Sequence, residues 1–275
     1  MCQLAEVSRA GFYRQSRPPV VPPEELVLRD AVQRVALEWP AYGSRRITHE
    51  LQNRGWRVNR KRVQRIMRQD NLLCLRRHRF VVTTDSNHEL PVYANLAKAI
   101  VLTGINQLWR ADITYIRLAE EFVYLAVILD AYSRRVIGWA LDRTLQDSLT
   151  IMALEMALAQ REVPAGLLHH SDRGVQYARR QYIGILEEHD ICISMSRTGN
   201  PWDNAACESF MKTLKYEEVY RSEYRDLADA YARIGEFLEM IYNQKRLHSA
   251  LDYRSPAEFE RSLLPRAPAP GEVRV

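Results

Sequence analysis

Three carboxylates, Asp112, Asp172 and Glu208, have the residue type and setting to do chemistry. In Leu108-Trp-Arg-Ala-Asp-Ile-Thr-Tyr115, apolar Trp109, Ala111, Ile113 and Tyr115 alternate with Arg110, Asp112 and Thr114, which predicts a strand carrying Asp112 on its polar face. Asp172 follows a short apolar run ending at His170 and precedes Gly174, as expected where the backbone must turn sharply beside a ligand. Glu208 falls on a helix predicted after the turn at Gly199-Asn200-Pro201, with Asp203 or Asn204 placed to cap it. On that helix Asn204, Glu208, Lys212 and Lys215 share one stripe, while Phe210 and Leu214 share another that can face a core. Each feature has an ordinary explanation as a turn residue, a strand-edge charge or a solvated Glu–Lys pair. Jointly, three carboxylates with no evident fixed cationic partner repel one another unless a divalent cation sits among them, and hard oxygen ligands select Mg²⁺ or Mn²⁺. Two ammonium groups one and two turns past Glu208 suit phosphate contacts.

Composition narrows the class. A chain of 275 residues with 47% apolar content can bury a sizeable core and is expected to form more than one domain. It has no apolar run of transmembrane length, and its first residues lack a signal-peptide pattern, so a cytoplasmic protein without a membrane partner is expected. Cys2, Cys74, Cys192 and Cys207 are scattered and read as reduced thiols, with neither a zinc site nor a disulfide framework. Residues 1–90 carry 17 Lys and Arg against 9 Asp and Glu, whereas the rest carry 22 against 25. All the excess positive charge therefore lies in the N-terminal third, as in a nucleic-acid-binding arm attached to a nearly neutral body.

The elements that position these residues follow in order. Residues 1–23 are an N-terminal fragment ending in a stiff Pro-rich linker. Residues 24–82 form an all-α, helix-turn-helix-like domain. Its first helix carries Leu28, Ala31, Val32 and Val35 and stops at Trp39-Pro40, the second is capped by Ser44, and the third is capped by Asn59. The third helix turns Val63, Ile66 and Met67 inward, and its basic side chains Arg60, Lys61, Arg62, Arg65 and Arg68 are the candidate DNA contacts. After a linker at 83–104, strand patterns at Leu108–Tyr115, Phe122–Leu129 and Val136–Leu141 suit an antiparallel meander. A helix at Gln146–Gln160, a strand at Gly166–His170, a helix at Arg179–His189 and a strand at Ile191–Ser194 complete a mixed sheet flanked by helices. A helix from Leu227, with Ala230, Tyr231, Ile234, Leu238 and Ile241 on one face, dominates a helical extension at 221–261. A disordered tail is expected at 262–275.

Three segments carry a family resemblance. Trp109-x-x-Asp112-Ile-Thr-Tyr115, His170-Ser-Asp172-Arg-Gly-x-Gln-Tyr177 and Asp203-Asn204-Ala-x-x-Glu208-Ser-Phe210 resemble the acidic motifs of insertion-sequence transposases of the OrfB type, in insertion-sequence family three, which are relatives of retroviral integrases. Thirty-five residues separate Asp172 from Glu208, the D-D-35-E spacing of that group, and Lys215 matches its basic residue past the glutamate. Tyr242-Asn243-x-x-Arg246-x-His248-x-x-Leu251-x-Tyr253-x-Ser255-Pro256 resembles the signature that closes the catalytic region. Tyr42-Gly43-x-Arg45-Arg46-Ile47 resembles part of the accessory helix-turn-helix.

The resemblance implies a ribonuclease-H-like catalytic core at 105–220, a mixed five-stranded sheet flanked by helices and preceded by the small all-α domain. It implies metal-dependent cleavage at insertion-sequence ends and transfer of the freed 3′-OH into target DNA. In that mechanism two Mg²⁺ or Mn²⁺ ions are bridged by Asp112 and held singly by Asp172 and Glu208, with no zinc. Lys212 and Lys215 would lie along the DNA backbone, Asn204 would orient a ligand or phosphate or cap its helix, His170 would donate to a metal ligand or be a core histidine, and Arg246 and His248 would be structural or contact the backbone without being catalytic. Expected partners are terminal-repeat and target DNA, an upstream OrfA-type protein or fusion, and further copies of the chain on DNA in the bacterial nucleoid. The His/Cys zinc module of retroviral integrases has no counterpart here, and the helix-turn-helix and zipper usually supplied upstream are expected to be missing. A nuclease of the same fold would share the carboxylates without needing the basic domain, and an inactive DNA-binding relative would be expected to have lost one of them.

Overall fold

The computed structural model describes residues 22–72, 93–98, 100–197 and 204–264. The chain divides into two compact units between Leu75 and Arg76. Residues 1–21, the expected turn at 198–203 and residues 265–275 lie outside the described residues, while Ser262 and Leu263, expected in a disordered tail, continue the helix that starts at Pro256.

The first unit is three helices, α1 (Pro23–Glu38), α2 (Ser44–Asn53) and α3 (Arg60–Gln69). Helix α1 opens on Pro23 with Glu24 and Glu25 in its first turn, where missing amide donors and the helix dipole favour both choices. It buries Leu28, Val32 and Val35 and ends at Trp39, before Pro40. Helix α2 is not capped by Ser44 as expected, because Gly43 takes the cap position and Ser44 is already helical. Its Thr48 hydroxyl donates to the Ser44 carbonyl at 2.6 Å. Gly55, at φ +89°, ends the following turn in the left-handed region. Asn59 does cap α3, accepting from the Arg62 amide at 2.9 Å. Two carboxylates stitch α1 and α3 together: Glu25 pairs with Arg62 and Arg65, and Asp70 with Arg29 and Gln33.

The second unit is built on a five-stranded sheet. Its strands are β1 (Leu108–Arg117), β2 (Phe122–Asp130), β3 (Val136–Asp142), β4 (Leu168–Ser171) and β5 (Cys192–Met195), in the spatial order β3-β2-β1-β4-β5. The first three are the expected antiparallel meander, and β4 and β5 add in parallel. Parallel neighbours need crossover connections. Helix α4 (Asp147–Gln160) leads into β4, and α5 (Val175–Ala178) with α6 (Arg180–Glu188) leads into β5. The short α5 had no periodicity long enough to reveal it. Helix α7 (Ala205–Glu217) follows, then α8 (Leu227–Glu236), a π-helical turn at Phe237–Tyr242, and α9 (Pro256–Leu263).

Two cores lie on opposite faces of the sheet. On one, Trp109, Ala111, Ala126, Ile128 and Ile137 pack with α4 and α6. Gly138 is required there, since an added Cβ would sit 2.1 Å from the Ala153 carbonyl of α4. On the other, Ile116, Leu125, Val127 and Leu129 pack with Cys207, Phe210 and Leu214 of α7 and with Ile234, Phe237, Leu238 and Tyr242. The expected face of the Leu227 helix is interrupted. The π turn inserts a residue into the repeat, so Phe237 and Tyr242 join the core; Tyr231, on the regular helix ahead of it, is half-exposed, its ring 4.8 Å from Trp139.

The closing signature residues secure this unit. Asn243 mimics a strand, pairing both ways with the Val136 backbone at 3.0 and 2.9 Å. Ser255 and Glu258 form a capping box for α9. That helix carries Glu260, which takes Arg135, Arg161 and the Ser133 hydroxyl, each at 2.7 Å. Burial alone would raise the Glu260 carboxyl, but these donors hold it below its ordinary value. Glu260→Ala strands two arginines and should cost about 3 kcal/mol in urea denaturation at neutral pH. Because the folded-state carboxyl is depressed, its contribution is present above pH 4.5, its ordinary value, and fades as pH falls further. The stability gap between wild type and variant should therefore narrow in acid.

Candidate active site

The sheet register itself creates the site. Strands β1 and β4 are parallel, and their last paired residues are Arg110 and His170. Side chains alternate along a strand, so two residues further on each chain, Asp112 and Asp172 fall on the same face, side by side. Strand β4 ends at Ser171, whereas β1 runs on to Arg117 paired with β2. From Asp112 onward, β1 thus has β2 on one side and an open crevice on the other. Asp112 Oδ1 accepts from the Ile113 amide at 2.9 Å. Asp172 Oδ1 accepts from the Gly174 amide at 2.9 Å, and a Cβ at Gly174 would lie 2.9 Å from that same oxygen. Glycine is needed here for close approach rather than for an unusual turn, as the Gly174 backbone is at φ −65°.

Helix α7 packs Cys207, Phe210, Met211 and Leu214 onto the Asp112 face of the sheet and carries Glu208 in its first turn. The expected polar stripe divides. Glu208 and Lys215 are half-buried, Lys212 is exposed, and Asn204 is buried. Asn204 makes no side-chain cap bond, contrary to the expected cap. Its amide donates to the Ala111 carbonyl at 3.2 Å and its oxygen accepts from Arg110 at 3.4 Å. It is therefore spent on tying the start of α7 to β1 immediately before Asp112, and little of it is left for DNA. Lys215 lies 4.7 Å from the centre of the Tyr115 ring. Burial lowers its pKa, and the Asp112 charge opposes that shift.

The Asp112 carboxyl is pushed up to about 8, first by burial, then by the Asp172 charge, and further by Glu208, against the Ile113 amide and Lys215. The donor set is all carboxylate oxygen, and its members already disfavour one another's ionisation, so it fits a hard divalent cation in chemistry and in charge. Among the described residues, no three His, Cys, Asp or Glu side chains gather around one point closely enough to hold a metal. Asp112 and Asp172 are the pair set by register, and Glu208 joins them through its field. Cys192 is exposed and Cys207 buried, both as free thiols.

The remaining candidates are held elsewhere. His170 is buried between the Ser194 and Ser196 hydroxyls, at 2.8 and 3.0 Å. His169 pairs with Tyr182 and is driven down to about 3 by burial and by His170, so it remains neutral. Arg246 makes a two-point ion pair with Glu217 at the far end of α7, and His248 packs edge-on against Tyr242. Arg246, and His248 through Tyr242, brace the helix that carries Glu208, whereas the two histidines of β4 are tied to β5 and α6. In the helical unit, Arg62 and Arg65 are engaged by Glu25, while Arg60, Lys61 and Arg68 are exposed. Arg110 belonged to no motif and Tyr115 stood in one only as its last residue; their contacts with Asn204 and Lys215 are what mark them.

A mixed sheet with these carboxylates on β1, past β4 and on α7 defines the class of integrase-like polynucleotidyl transferases. The integrase core domain family matches residues 103–201 and 189–256, and the HTH-like domain family matches residues 23–80. In fold the chain is similar to the simian T-cell lymphotropic virus intasome in complex with PP2A regulatory subunit B56 gamma. That match has a TM-score of 0.50 at 16% identity and covers 86% of this chain and 76% of the other. In sequence it is 40% identical to an uncharacterized 31 kDa protein of insertion element IS600 from Shigella sonnei, covering 94% of this chain and 97% of that protein. It is 35% identical to the transposase of insertion sequence element IS904 from Lactococcus lactis, covering 89% and 98%. It is 34% identical to transposase InsF of IS3A from Escherichia coli K12, covering 96% and 94%. The chain belongs to the IS3 family of DDE transposases.

Crowded carboxylates should leave a mark on stability. Since the folded-state Asp112 pKa of about 8 lies above its ordinary 3.8, metal-free protein should lose stability as pH rises between these values. Asp112→Asn removes the charge and should raise the melting temperature at pH 8.5 in the presence of a chelator, by several degrees for about 2 kcal/mol. At pH 4 the difference should be small. Equal melting of the two proteins at both pH values would place Asp112 in an uncrowded setting.

Proposed function

We propose that this transposase cleaves DNA at the ends of its insertion sequence and joins the freed 3′-OH to target DNA, with Asp112, Asp172 and Glu208 as its metal ligands. The observation that carries this assignment is the register-aligned pair Asp112 and Asp172, within the field of Glu208 on α7. A pair of divalent cations there, Mg²⁺ or Mn²⁺, would neutralise the phosphodiester and activate the attacking oxygen for in-line displacement. The chain supplies the geometry. Backbone amides of Ile113 and Gly174 orient one oxygen of each aspartate. Asn204 locks α7 to β1, which sets the reach of Glu208. Lys215 faces the same crevice beside Tyr115, where an ammonium group can hold the phosphate next to the one being cut. Lys212, exposed one turn earlier, extends that path. No side chain has to become a covalent nucleophile, because water attacks in cleavage and the DNA 3′-OH attacks in joining.

In the helical unit, Arg60, Lys61 and Arg68 are the side chains most available to duplex DNA, with Arg62 and Arg65 reaching it only by sharing or leaving Glu25. Such contacts position a protein on the backbone more than they read sequence. End selection and the pairing of two ends then call for an upstream OrfA-type protein and for more than one copy of this chain, acting on DNA in the bacterial cytoplasm.

Asp112→Asn, Asp172→Asn and Glu208→Gln should each abolish divalent-metal-dependent cleavage and joining of labelled element ends while DNA binding in a gel shift persists. A variant that kept activity within about tenfold of wild type would not have lost a ligand. Alanine at Arg60, Lys61 and Arg68 should each reduce the slope of log affinity against log salt by about 0.9. An unchanged slope would place these side chains on a solvated face away from DNA.

A further inference from the structure

A cavity of about 490 Å³ lies between the end of β1, the last turn of α7 and the turn that follows it. Its lining includes Tyr115, Arg117, Lys215, Tyr220, Glu223 and Tyr224. That volume lies in the usual range for small-molecule pockets and is far too small for a duplex. Tyr220 is 58% exposed, large for an aromatic ring on a folded surface, and its ring stands 5.7 Å from Tyr216 in an edge-to-face pair. Lys215 links the cavity to the carboxylates, since its ammonium rests over Tyr115 and feels the charge of Asp112. Asp112 and Tyr115 are three residues apart on an extended strand, roughly 10 Å, and although the strand repeat turns them to opposite faces, Lys215 of α7 interacts with both. A DNA strand leaving the carboxylates covers that distance within about three nucleotides of stacked rise.

We infer that this cavity receives one unpaired base of the DNA strand running past the carboxylates, stacked against Tyr220 and Tyr115, with its phosphate held by Lys215 and Arg117. The inference rests on the reading of Asp112, Asp172 and Glu208 as the cleavage site. The orientation follows from charge: Glu223 repels phosphate, so the backbone runs along the Lys215 and Arg117 side and the base points toward Glu223 and the tyrosines. Aromatic rings accept any base face, and extruding a base from a duplex is least costly where pairing is already weak. Tyr224 is buried, and its hydroxyl donates to Glu218 at 3.1 Å, so it forms the floor while Tyr220 is the exposed wall.

The test uses the full chain and short duplexes carrying the terminal sequence that borders this reading frame. Each duplex is intact, or carries a single abasic site, or a single mismatch, within the first few nucleotides either side of the cleavage point. Tyr220→Ala should slow cleavage of intact DNA about fivefold or more, the worth of one stacked base. Tyr220→Phe, which keeps the ring, should cleave as wild type does. At one position an abasic site should slow wild type by a similar factor and slow Tyr220→Ala no further. At that position a mismatch should tighten binding by wild type, measured in a chelator, and leave binding by Tyr220→Ala unchanged. Additive effects of Tyr220→Ala and the abasic site at every position would overturn the inference. So would a Tyr220→Phe defect as large as that of Tyr220→Ala, or a mismatch that tightens neither protein. If wild type cleaves with no divalent metal, the assignment of the carboxylates fails, whereas the binding comparison in chelator still decides the cavity.

Discussion

Everything in the catalytic unit turns on one juxtaposition: two aspartates set side by side by a parallel strand pair. With Arg110 opposite His170, Asp112 and Asp172 each follow two residues on, close enough for the Asp172 charge to act on Asp112. Partial burial and like charge make that placement unfavourable for bare carboxylates, as the raised Asp112 pKa records. Such a feature survives only where the surroundings over-determine it. Here they do so with a sheet whose central strands are apolar on both faces and with helices packed on each side. Burial first, and the Asp172 and Glu208 charges after it, disfavour the ionised Asp112, and a cation bound there would relieve both.

Holding α7 in place is the second demand, because Glu208 is delivered by a helix and not by the sheet. Several otherwise unrelated side chains serve that end. Asn204 fastens its beginning to the Ala111 carbonyl, Phe210 and Leu214 anchor its middle, and Arg246 grips Glu217 at its end. Behind it the π turn brings Phe237 and Tyr242 into the same core, and Asn243 closes the exposed edge of β3. The residues that resemble a closing signature, from Tyr242 to Ser255, therefore act as a brace.

The two units use charge in opposite ways. In the catalytic unit, buried arginines are consumed by carboxylates, as with Arg135 and Arg161 on Glu260. In the helical unit, most basic side chains of α3 point to solvent, but Glu25 engages two of them. A count of basic residues thus overstates the charge offered to a phosphate backbone. The acid that offsets it lies far away in sequence, on α1.

The sequence by itself determined what local periodicity and residue chemistry can encode. The alternation around Asp112 specified a strand, the mostly apolar stretch Gln146–Gln160 a helix that is observed from Asp147, and Asn59 a cap. The spacing of the three acidic segments, read as a resemblance, pointed to the family. What only the tertiary structure decided are the pairings between distant residues. Whether Ser44 or Gly43 caps α2 depends on where the preceding turn ends. Asn204 is a tether because β1 passes beneath it, and Lys215 is half-buried because Tyr115 lies under it. Glu260 gave no local sign of joining Ser133, Arg135 and Arg161, which are brought to it from about a hundred residues away or more. Side-chain type travels with the sequence, but a partner is set by strand register and helix packing, and those are properties of the whole sheet.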